Sequence, residues 1–283
     1  TAATAGALLD PFSPQRLALV ATGVAGAAFV VTLLAVWGVE RAPERAPERD
    51  EQKPPFAQVM REIWAEPLAR RFTIFVFVSM LAYSAQDLIL EPFAGLIFNM
   101  TPGQSTQLAG VQHGGVLLGM ILVGVFGARF GDKRRAWMRH WTIAGCVGSA
   151  FALAALACAA LIGPAWPLQP TVFALGFANG VFAVSAIGSM MGLAGEGRSA
   201  REGVRMGVWG AAQAIAFACG GFAGAAGVDA LRAVLPDTAS AFQIVFALEA
   251  ALFMGAAVLA GRLDLRGAVR VKTADAGLEG ARS

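Results

Sequence analysis

Seven apolar segments, each long enough to cross a bilayer, constrain this 283-residue sequence more than any other feature. A transmembrane helix needs roughly 20 predominantly apolar residues, and backbone groups in lipid must be hydrogen-bonded within the spanning structure. The composition agrees, because a chain that is 57% hydrophobic and 14% charged has too little polar surface for a soluble domain. The sequence therefore predicts an all-α integral membrane protein with seven transmembrane helices. They are placed at 17–39, 72–98, 107–129, 138–162, 171–194, 205–227 and 240–261.

The basic residues orient these spans. All of the 22 lysines and arginines except Arg16 and Arg232 fall on one side of the predicted helices. The positive-inside rule assigns that side to the cytoplasm, so the sequence predicts a multi-pass protein of a bacterial inner (intracytoplasmic) membrane with a cytoplasmic C-terminus. The basic residues form no groove with interleaved aromatic residues, so the lipid bilayer, and not nucleic acid, is the predicted partner.

A long polar loop divides the chain. Residues 40–71 are rich in proline and mixed charge and are predicted to be a cytoplasmic loop. The loop separates a periplasmic start with a single span, 1–39, from a six-helix block at 72–262, which a cytoplasmic tail at 263–283 follows. One span plus six is what remains of a twelve-helix protein, built as two six-helix halves, when its first five helices are absent. The first residue, Thr1, is not a methionine, which fits a piece of a longer protein.

Many of the 34 glycines are spaced four residues apart inside the predicted spans. Such pairs let two helix backbones come close in lipid, where the hydrophobic effect does not drive helix association. We expect tight helix contacts at these pairs, which by themselves do not indicate a substrate. The pairs are Gly110/Gly114, Gly115/Gly119, Gly127/Gly131, Gly176/Gly180, Gly188/Gly192 and Gly220/Gly224.

A glycine-ended helix runs into a basic turn between the second and third helices of the six-helix block. The motif consists of Gly124, Arg129, Gly131, Asp132, Lys133 and Arg134. It resembles the loop signature of the major facilitator superfamily, which occurs at this place in each six-helix half of those proteins. Ala128 stands where that family usually has Asp, and Asp132 where it usually has a basic residue, so the acid assigned to charge-relay gating is missing. The alternative is an ordinary positive-inside loop.

Ionisable residues inside a membrane are expensive and are therefore functional candidates. Asp87 and Glu91 lie four residues apart in the first helix of the six-helix block, so their carboxylates share one helical face. Gln86 precedes this pair, and Pro92 follows it and frees a backbone acceptor. The pair is expected in the outer half of the membrane, towards the periplasm.

The next helix carries Gln112 and His113, which we expect near its periplasmic end. An amide oxygen or a neutral imidazole can ligate the magnesium of a chlorin. The same groups can instead hydrogen-bond a facing helix, for example at Asp87 or Glu91, and the sequence leaves both interpretations open.

Glu249 lies near the middle of the last span, where a carboxylate needs a partner, a cavity or a proton. The last helix of a six-helix half tends to lie at the periphery in the major facilitator superfamily, so we expect Glu249 at an interface. Asn179 is expected to hydrogen-bond between helices. The sequence has no nucleophile elbow, no phosphate-binding loop and no histidine pair at metal-ligand spacing, so no enzyme is predicted.

The run Gln-Asp-x-x-Leu-Glu-Pro at 86–92, followed by Ser-Thr-Gln-Leu at 105–108, resembles the PucC/LhaA group of the major facilitator superfamily. The resemblance implies an assembly factor for bacterial light-harvesting antenna complexes that delivers or holds bacteriochlorophyll during antenna insertion. It implies bacteriochlorophyll and carotenoid as candidate ligands, and antenna polypeptides, the reaction-centre core and bacteriochlorophyll synthase as candidate partners. The residues carried over as the family signature are Gln86, Asp87, Glu91 and Pro92, with Gln112 and His113 as candidate pigment-binding residues and His113 as a candidate magnesium ligand.

Two other functions stay open at this level. A proton-coupled solute transporter of the major facilitator superfamily would use Asp87 and Glu91 as its protonation site and would need a polar cavity. The first and fourth helices of the six-helix block are expected to supply most of that cavity, yet the fourth offers only Asn179, Ser185 and Ser189. The third candidate is a non-transporting structural subunit of a photosynthetic complex.

Overall fold

A computed structural model describes residues 7–9, 13–37, 61, 64–127, 134–194 and 202–263. Within these residues, seven helices are long and apolar enough to cross a membrane, and no β-strand occurs among them. The prediction of an all-α integral membrane protein is therefore confirmed. The helices are α1 (Pro14–Val36), α2 (Pro67–Phe98), α3 (Pro102–Gly127), α4 (Arg134–Ile162), α5 (Leu168–Ala194), α6 (Glu202–Val234) and α7 (Thr238–Arg262), with a short 3₁₀ turn at Gly163–Ala165 before α5.

The helices of the six-helix block extend beyond the predicted spans. α2 begins at Pro67 and not at residue 72, because proline at a first helical position suits the fixed φ and needs no donor. α6 continues past residue 227 through Asp229 and Arg232, which form an ion pair of 3.8 Å one turn apart. Hydropathy locates only the apolar part of a helix, whereas charged residues outside the lipid can remain helical.

The six helices α2–α7 pack in an order that differs from their order in the chain. The extensive contacts join α3 to α5, α5 to α4, α4 to α7, α7 to α2 and α2 to α6. The consecutive helices α2 and α3 contact each other only slightly. This topology leaves a gap between α2 and α3, where the candidate site lies.

Glycine lets α3 and α5 touch backbone to backbone. A Cβ atom added at Gly115 or Gly119 would collide with backbone atoms of α5. One added at Gly176 or Gly180 would collide with the carbonyl groups of α3. The predicted tight contact is confirmed for these two pairs, and we call this interface the α3–α5 glycine seam.

A second glycine contact joins α6 to α2. Gly220 and Gly224 approach the backbone carbonyls of Leu81 and Ala85, and the Ser84 hydroxyl donates to the Phe217 carbonyl at 3.1 Å. The expectation of a tight contact is wrong at Gly114 and Gly192, which face open space within the described structure.

A salt bridge also ties α6 to the start of α2. Arg205 donates to the Glu66 carboxylate at 2.6 Å, and its guanidinium also reaches the Leu193 carbonyl at the end of α5, at 3.5 Å. By the predicted orientation this contact lies at the cytoplasmic end of the block. It closes the end of the bundle opposite the α2–α3 turn.

Two predicted features lie largely outside the described residues. In the basic loop motif, Arg129, Gly131, Asp132 and Lys133 are not described, whereas Gly124 lies on α3 facing open space and Arg134 begins α4. Most of the predicted loop at 40–71 and nearly all of the predicted tail are also outside them. No residue of α1 is buried among the described parts of the chain, and its assignment as the sixth of twelve helices stays a prediction.

Candidate functional site between α2 and α3

One face of α2 meets α3 across a cavity of about 270 Å³. This face carries Asp87 and Glu91, so the structure brings both predicted acids to one site. The other lining residues of α2 are Tyr83 and Leu90, and those of α3 are Ser105, Leu108, Ala109, Gln112, His113 and Val116.

The turn before α3 explains where the cavity begins. α2 is capped at Asn99, which adopts the left-handed conformation at φ 54°, and the Met100 amide donates back to the Ala94 carbonyl at 3.2 Å. α3 starts again at Pro102, so the two helices form an antiparallel hairpin. Beyond the turn, α3 follows α5 through the glycine seam while α2 packs on α6 and α7, and the two helices separate.

Both acids of the cavity are exposed side chains. The Ser105 hydroxyl donates to the Glu91 carboxylate at 3.0 Å, and this bond links the two helices near the turn. Pro92 lies inside α2 and has no N–H, so it cannot satisfy the Leu88 carbonyl as an ordinary helical residue would. The acids are therefore held at the rim of the cavity, beside a locally weakened helix.

His113 forms a hydrogen bond that fixes its tautomer. Its Nδ1 atom lies 2.7 Å from the carbonyl oxygen of Ala109, one turn earlier on α3. A carbonyl oxygen can only accept, so in the neutral ring Nδ1 carries the proton and Nε2 keeps its lone pair. A hydrogen bond from His113 to a facing helix was one expectation, but Nδ1 bonds within its own helix.

The depth of His113 differs from the prediction. It lies about 17 Å from the start of α3 at ~1.5 Å per residue, which is near the middle of the helix and not at its periplasmic end. The helix begins at Pro102, five residues before the predicted start, because the turn after α2 is short. The site therefore lies further along α3 than the predicted start of the span indicated.

Three predicted residues differ in their surroundings. Gln112 is buried and lines the cavity, and its backbone carbonyl touches Gly176 of α5. Gln86 is 0% exposed and does not line the cavity. Glu249 was expected at an interface, but the structure buries its side chain inside the bundle at 2% exposure. α7 is enclosed on this side because it packs on both α4 and α2.

One wall of the cavity differs from expectation. The first and second helices of the block, α2 and α3, form the cavity, whereas the first and fourth were expected to do so. The polar groups of the fourth helix, α5, are used within the bundle. Asn179 accepts from the Ser149 hydroxyl of α4 at 2.8 Å, while Ser185 and Ser189 donate to carbonyls of their own helix. The glycine seam turns these residues away from the gap.

Sequence reasoning missed Tyr83 and Ser105 as cavity residues. Tyr83 lies four residues before Asp87 and therefore shares its helical face, which is a signal that helical periodicity contains. Ser105 had only its place in the family-like run as a signal, because no pattern shows which residue of the next helix stands opposite Glu91. Within the described residues, no group of three or more His, Cys, Asp and Glu side chains is placed to hold a metal ion.

Comparison with known proteins gives this chain its relatives. It is 50% identical over 280 residues to the "Bacteriochlorophyll synthase 44.5 kDa chain" of Rhodobacter capsulatus, a match that covers 98% of this chain and 64% of that protein. It is 30% identical over 251 residues to "Protein PucC" of Cereibacter sphaeroides, covering 87% of this chain and 52% of the relative. "Protein PucC" of Rhodobacter capsulatus is 30% identical over 274 residues, covering 93% and 57%.

The chain thus spans between about half and two thirds of the length of these relatives. The family model described as "PUCC protein" matches residues 1–268, which includes α1 and the whole six-helix block. With a match over nearly its full length, the chain belongs to the PUCC protein family.

Proposed function

We propose that this protein is an assembly factor for bacterial light-harvesting antenna complexes and holds bacteriochlorophyll during antenna insertion. Membership of the PUCC protein family supports the role in antenna assembly. The name of one relative, a bacteriochlorophyll synthase chain, supports a connection with that pigment. In this proposal the protein works in the bacterial inner (intracytoplasmic) membrane with its C-terminus in the cytoplasm, binds pigment and partners, and catalyses no covalent step.

The observation that carries the pigment proposal is the hydrogen bond of His113 to the Ala109 carbonyl. A metal-ligating histidine typically donates its other ring N–H to a carbonyl or carboxylate, which fixes the ring and increases its basicity. His113 has this arrangement, and its ring lines the cavity together with the apolar side chains of Leu90, Leu108 and Val116. The residues present therefore fit a magnesium-bearing chlorin, whose metal Nε2 of His113 would ligate.

The size of the cavity limits what it holds. Pockets that enclose small molecules have volumes of about 300–1,000 Å³, and about 270 Å³ is below that range. The cavity would accept only part of the pigment, while the rest of the pigment would lie against lipid or against partner helices. A site of this kind fits temporary holding and release better than permanent storage.

The partners that we propose are antenna polypeptides, the reaction-centre core and bacteriochlorophyll synthase. α1 presents apolar side chains such as Phe29, Leu34 and Trp37 with more than half of their surface exposed. Carotenoid is a second candidate ligand for such apolar surfaces. In a protein as long as the relatives, the additional residues would be a further candidate neighbour of α1.

The test is an absorption spectrum of the full protein purified in mild detergent, with the co-purifying polypeptides identified by mass spectrometry. We expect near-infrared bacteriochlorophyll bands and antenna polypeptides in one chromatographic peak. His113→Leu should reduce the bound pigment by roughly tenfold, which corresponds to about 1.4 kcal/mol of binding free energy. His113→Gln should retain more pigment, because an amide oxygen can also ligate magnesium.

The matched control is His140→Gln, which changes the second histidine of the chain. His140 lies on α4, outside the cavity, and its substitution should leave the spectrum unchanged. Pigment that co-purifies equally with wild type and His113→Leu would contradict the ligand assignment. Antenna polypeptides without pigment would favour the non-transporting structural subunit.

A proton-coupled solute transporter remains the second candidate, because the cavity holds two exposed acids side by side. A colourless, solitary protein that takes up solute with protons, and loses uptake in Asp87→Asn, would establish that function and exclude pigment holding.

A further inference from the structure

Two buried polar side chains, Gln86 of α2 and Glu249 of α7, lie outside the cavity and take no part in the proposed pigment site. Their helices run antiparallel and meet through aromatic rings: the Phe93 ring lies 5.3 Å from that of Phe242 and 5.0 Å from that of Phe246. These contacts set the register between α2 and α7.

The register places Gln86 and Glu249 at similar depth. Gln86 lies two turns before Phe93, about 10 Å along α2, and on the same helical face. Glu249 lies one turn after Phe246 and two turns after Phe242, roughly 5–10 Å along α7. Because the two helices are antiparallel, a step towards the N-terminus of α2 and a step towards the C-terminus of α7 lead to the same end of the bundle. The residues of α2 on the same helical face as Gln86 are at most 1% exposed: Ala82, Ile89 and Phe93.

Neither side chain has a hydrogen-bond partner. Both amide atoms of Gln86 and both carboxyl oxygens of Glu249 are buried and unpaired in the described structure. An unpaired buried amide costs free energy, and an unpaired buried carboxylate costs far more. The two groups are complementary, since an amide has one donor side and one acceptor side, as does a neutral carboxylic acid.

No countercharge for an ionised Glu249 is placed beside it among the described residues. Arg139 of α4 reaches the Leu263 carbonyl beyond the end of α7, and Arg232 of α6 pairs with Asp229 near the end of its helix. On α2, the residue after Gln86 is Asp87, which is itself an acid. An ionised Glu249 would therefore gain a like charge nearby rather than a salt bridge.

We propose that Glu249 is a neutral carboxylic acid that forms a reciprocal hydrogen-bonded pair with the Gln86 amide across the α2–α7 interface. The acid O–H donates to Oε1 of Gln86, and Nε2 of Gln86 donates to the acid carbonyl, so that one side-chain rotation at each position pairs all four polar groups. We call this the acid–amide pair. It fixes the rotation of α2 about its axis and thereby directs the adjacent Asp87 towards the cavity, so Gln86 and Glu249 are positioning residues.

Asn179 is the competing partner for Glu249. It lies one turn before Phe182, whose ring is 5.9 Å from that of Phe253, one turn beyond Glu249. Its oxygen accepts from Ser149, but its Nδ2 atom is buried and unpaired. The Asn179 oxygen is already shared with Ser149, whereas both the donor and the acceptor of Gln86 are unused.

Infrared difference spectra between the wild type and each variant, recorded on the full protein in detergent, test the acid–amide pair. The readout does not depend on bound pigment. A neutral carboxylic acid has a C=O stretching band separate from that of a carboxylate. We expect this band in the wild type, its loss in Glu249→Gln, and its displacement to higher frequency in Gln86→Met, where the acid has lost its amide partner. Asp87→Asn and Glu91→Gln, which alter the exposed acids, serve as controls and should leave the band in place.

Folding does not limit the test, because Glu249→Gln replaces the acid with an amide of the same shape that can still pair with Gln86. Its melting temperature should stay close to that of the wild type, and Glu249→Leu should melt lower. Absence of the acid band in the wild type, or a large rise in melting temperature in Glu249→Gln, would show an ionised Glu249 and overturn the proposal. A band that moves in Asn179→Leu but not in Gln86→Met would also overturn it, since the partner would then be Asn179.

Discussion

The two sides of α3 differ in a way that explains the site. Towards α5, the four glycines of the seam carry no side chain and bring the two helix backbones into contact. Towards α2, the side chains of α3 line a cavity of about 270 Å³ whose acids remain exposed. In lipid, helices associate through close packing and hydrogen bonds, so the seam supplies attachment and the gap supplies space.

This difference indicates which parts move together. α3 is fixed to α5, and α2 is fixed to α6 and α7, whereas α2 and α3 share little beyond their turn and the bond from Ser105 to Glu91. A change in the width of the cavity therefore requires α3 and α5 to move as one unit against α2. Such a movement would keep the α3–α5 seam and the contacts of α2 with α6 and α7, but the extensive contacts that join α5 to α4 and α4 to α7 would have to adjust.

The largest effect is expected from adding one methyl group to the seam. Gly115→Ala places a Cβ against the Phe173 carbonyl of α5, and such overpacking costs typically 1–3 kcal/mol. Thermal unfolding in detergent should show a clear fall in melting temperature. The neighbouring Gly114→Ala is the matched control, because Gly114 faces open space and alanine favours a helix by about 1 kcal/mol over glycine. Equal melting temperatures for the two variants would contradict the seam.

An intermediate effect is expected from filling the gap. Ala109→Phe puts an aromatic ring into the cavity without altering the backbone carbonyl that His113 uses. It should change the free energy of unfolding by less than about 1 kcal/mol, since it fills existing space, yet lower pigment content by roughly tenfold. The comparison variant is Ala174→Phe on the exposed surface of α5, which should retain its pigment. Retention of pigment in Ala109→Phe would place the binding site elsewhere.

The smallest effect is expected at the side-chain hydrogen bond from Ser105 to Glu91, which spans the gap. Ser105→Ala removes the donor to Glu91 and should cost about 1 kcal/mol or less. Thr106→Ala removes a hydroxyl that bonds only within its own helix, to the Pro102 carbonyl, and controls for loss of a hydroxyl. If α2 and α3 are joined chiefly here, hydrogen exchange in the α2–α3 turn should accelerate in Ser105→Ala and stay unchanged in Thr106→Ala.

The sequence predicted the helices because lipid imposes a minimum apolar length, and it predicted the shared face of Asp87 and Glu91 because helical periodicity is local. Helix partners were harder to predict. Apolar residues occur on all sides of the spans, so an apolar stripe does not distinguish a lipid-facing side from a protein-facing one. Small-residue spacing located Gly115 and Gly176 correctly but gave the same signal at Gly114, which faces open space.

The candidate site depended on contacts that no local pattern contains. That Ser105 stands opposite Glu91 follows from the three-residue turn between α2 and α3, and that Gln86 faces α7 follows from the ring contacts of Phe93. Glu249 was expected at a periphery by analogy with a six-helix half, whereas its burial follows from the actual packing of α7 on α4 and α2.

The packing order of the helices has a consequence for biosynthesis. A nascent chain delivers α2 and α3 to the membrane first, but α3 acquires its main neighbour only when α5 has entered, and α2 only when α6 and α7 have entered. The two walls of the cavity are thus held by segments that leave the ribosome later. A partly synthesised chain would have both walls and no cavity between them, so the cavity forms only when translation of the block is complete.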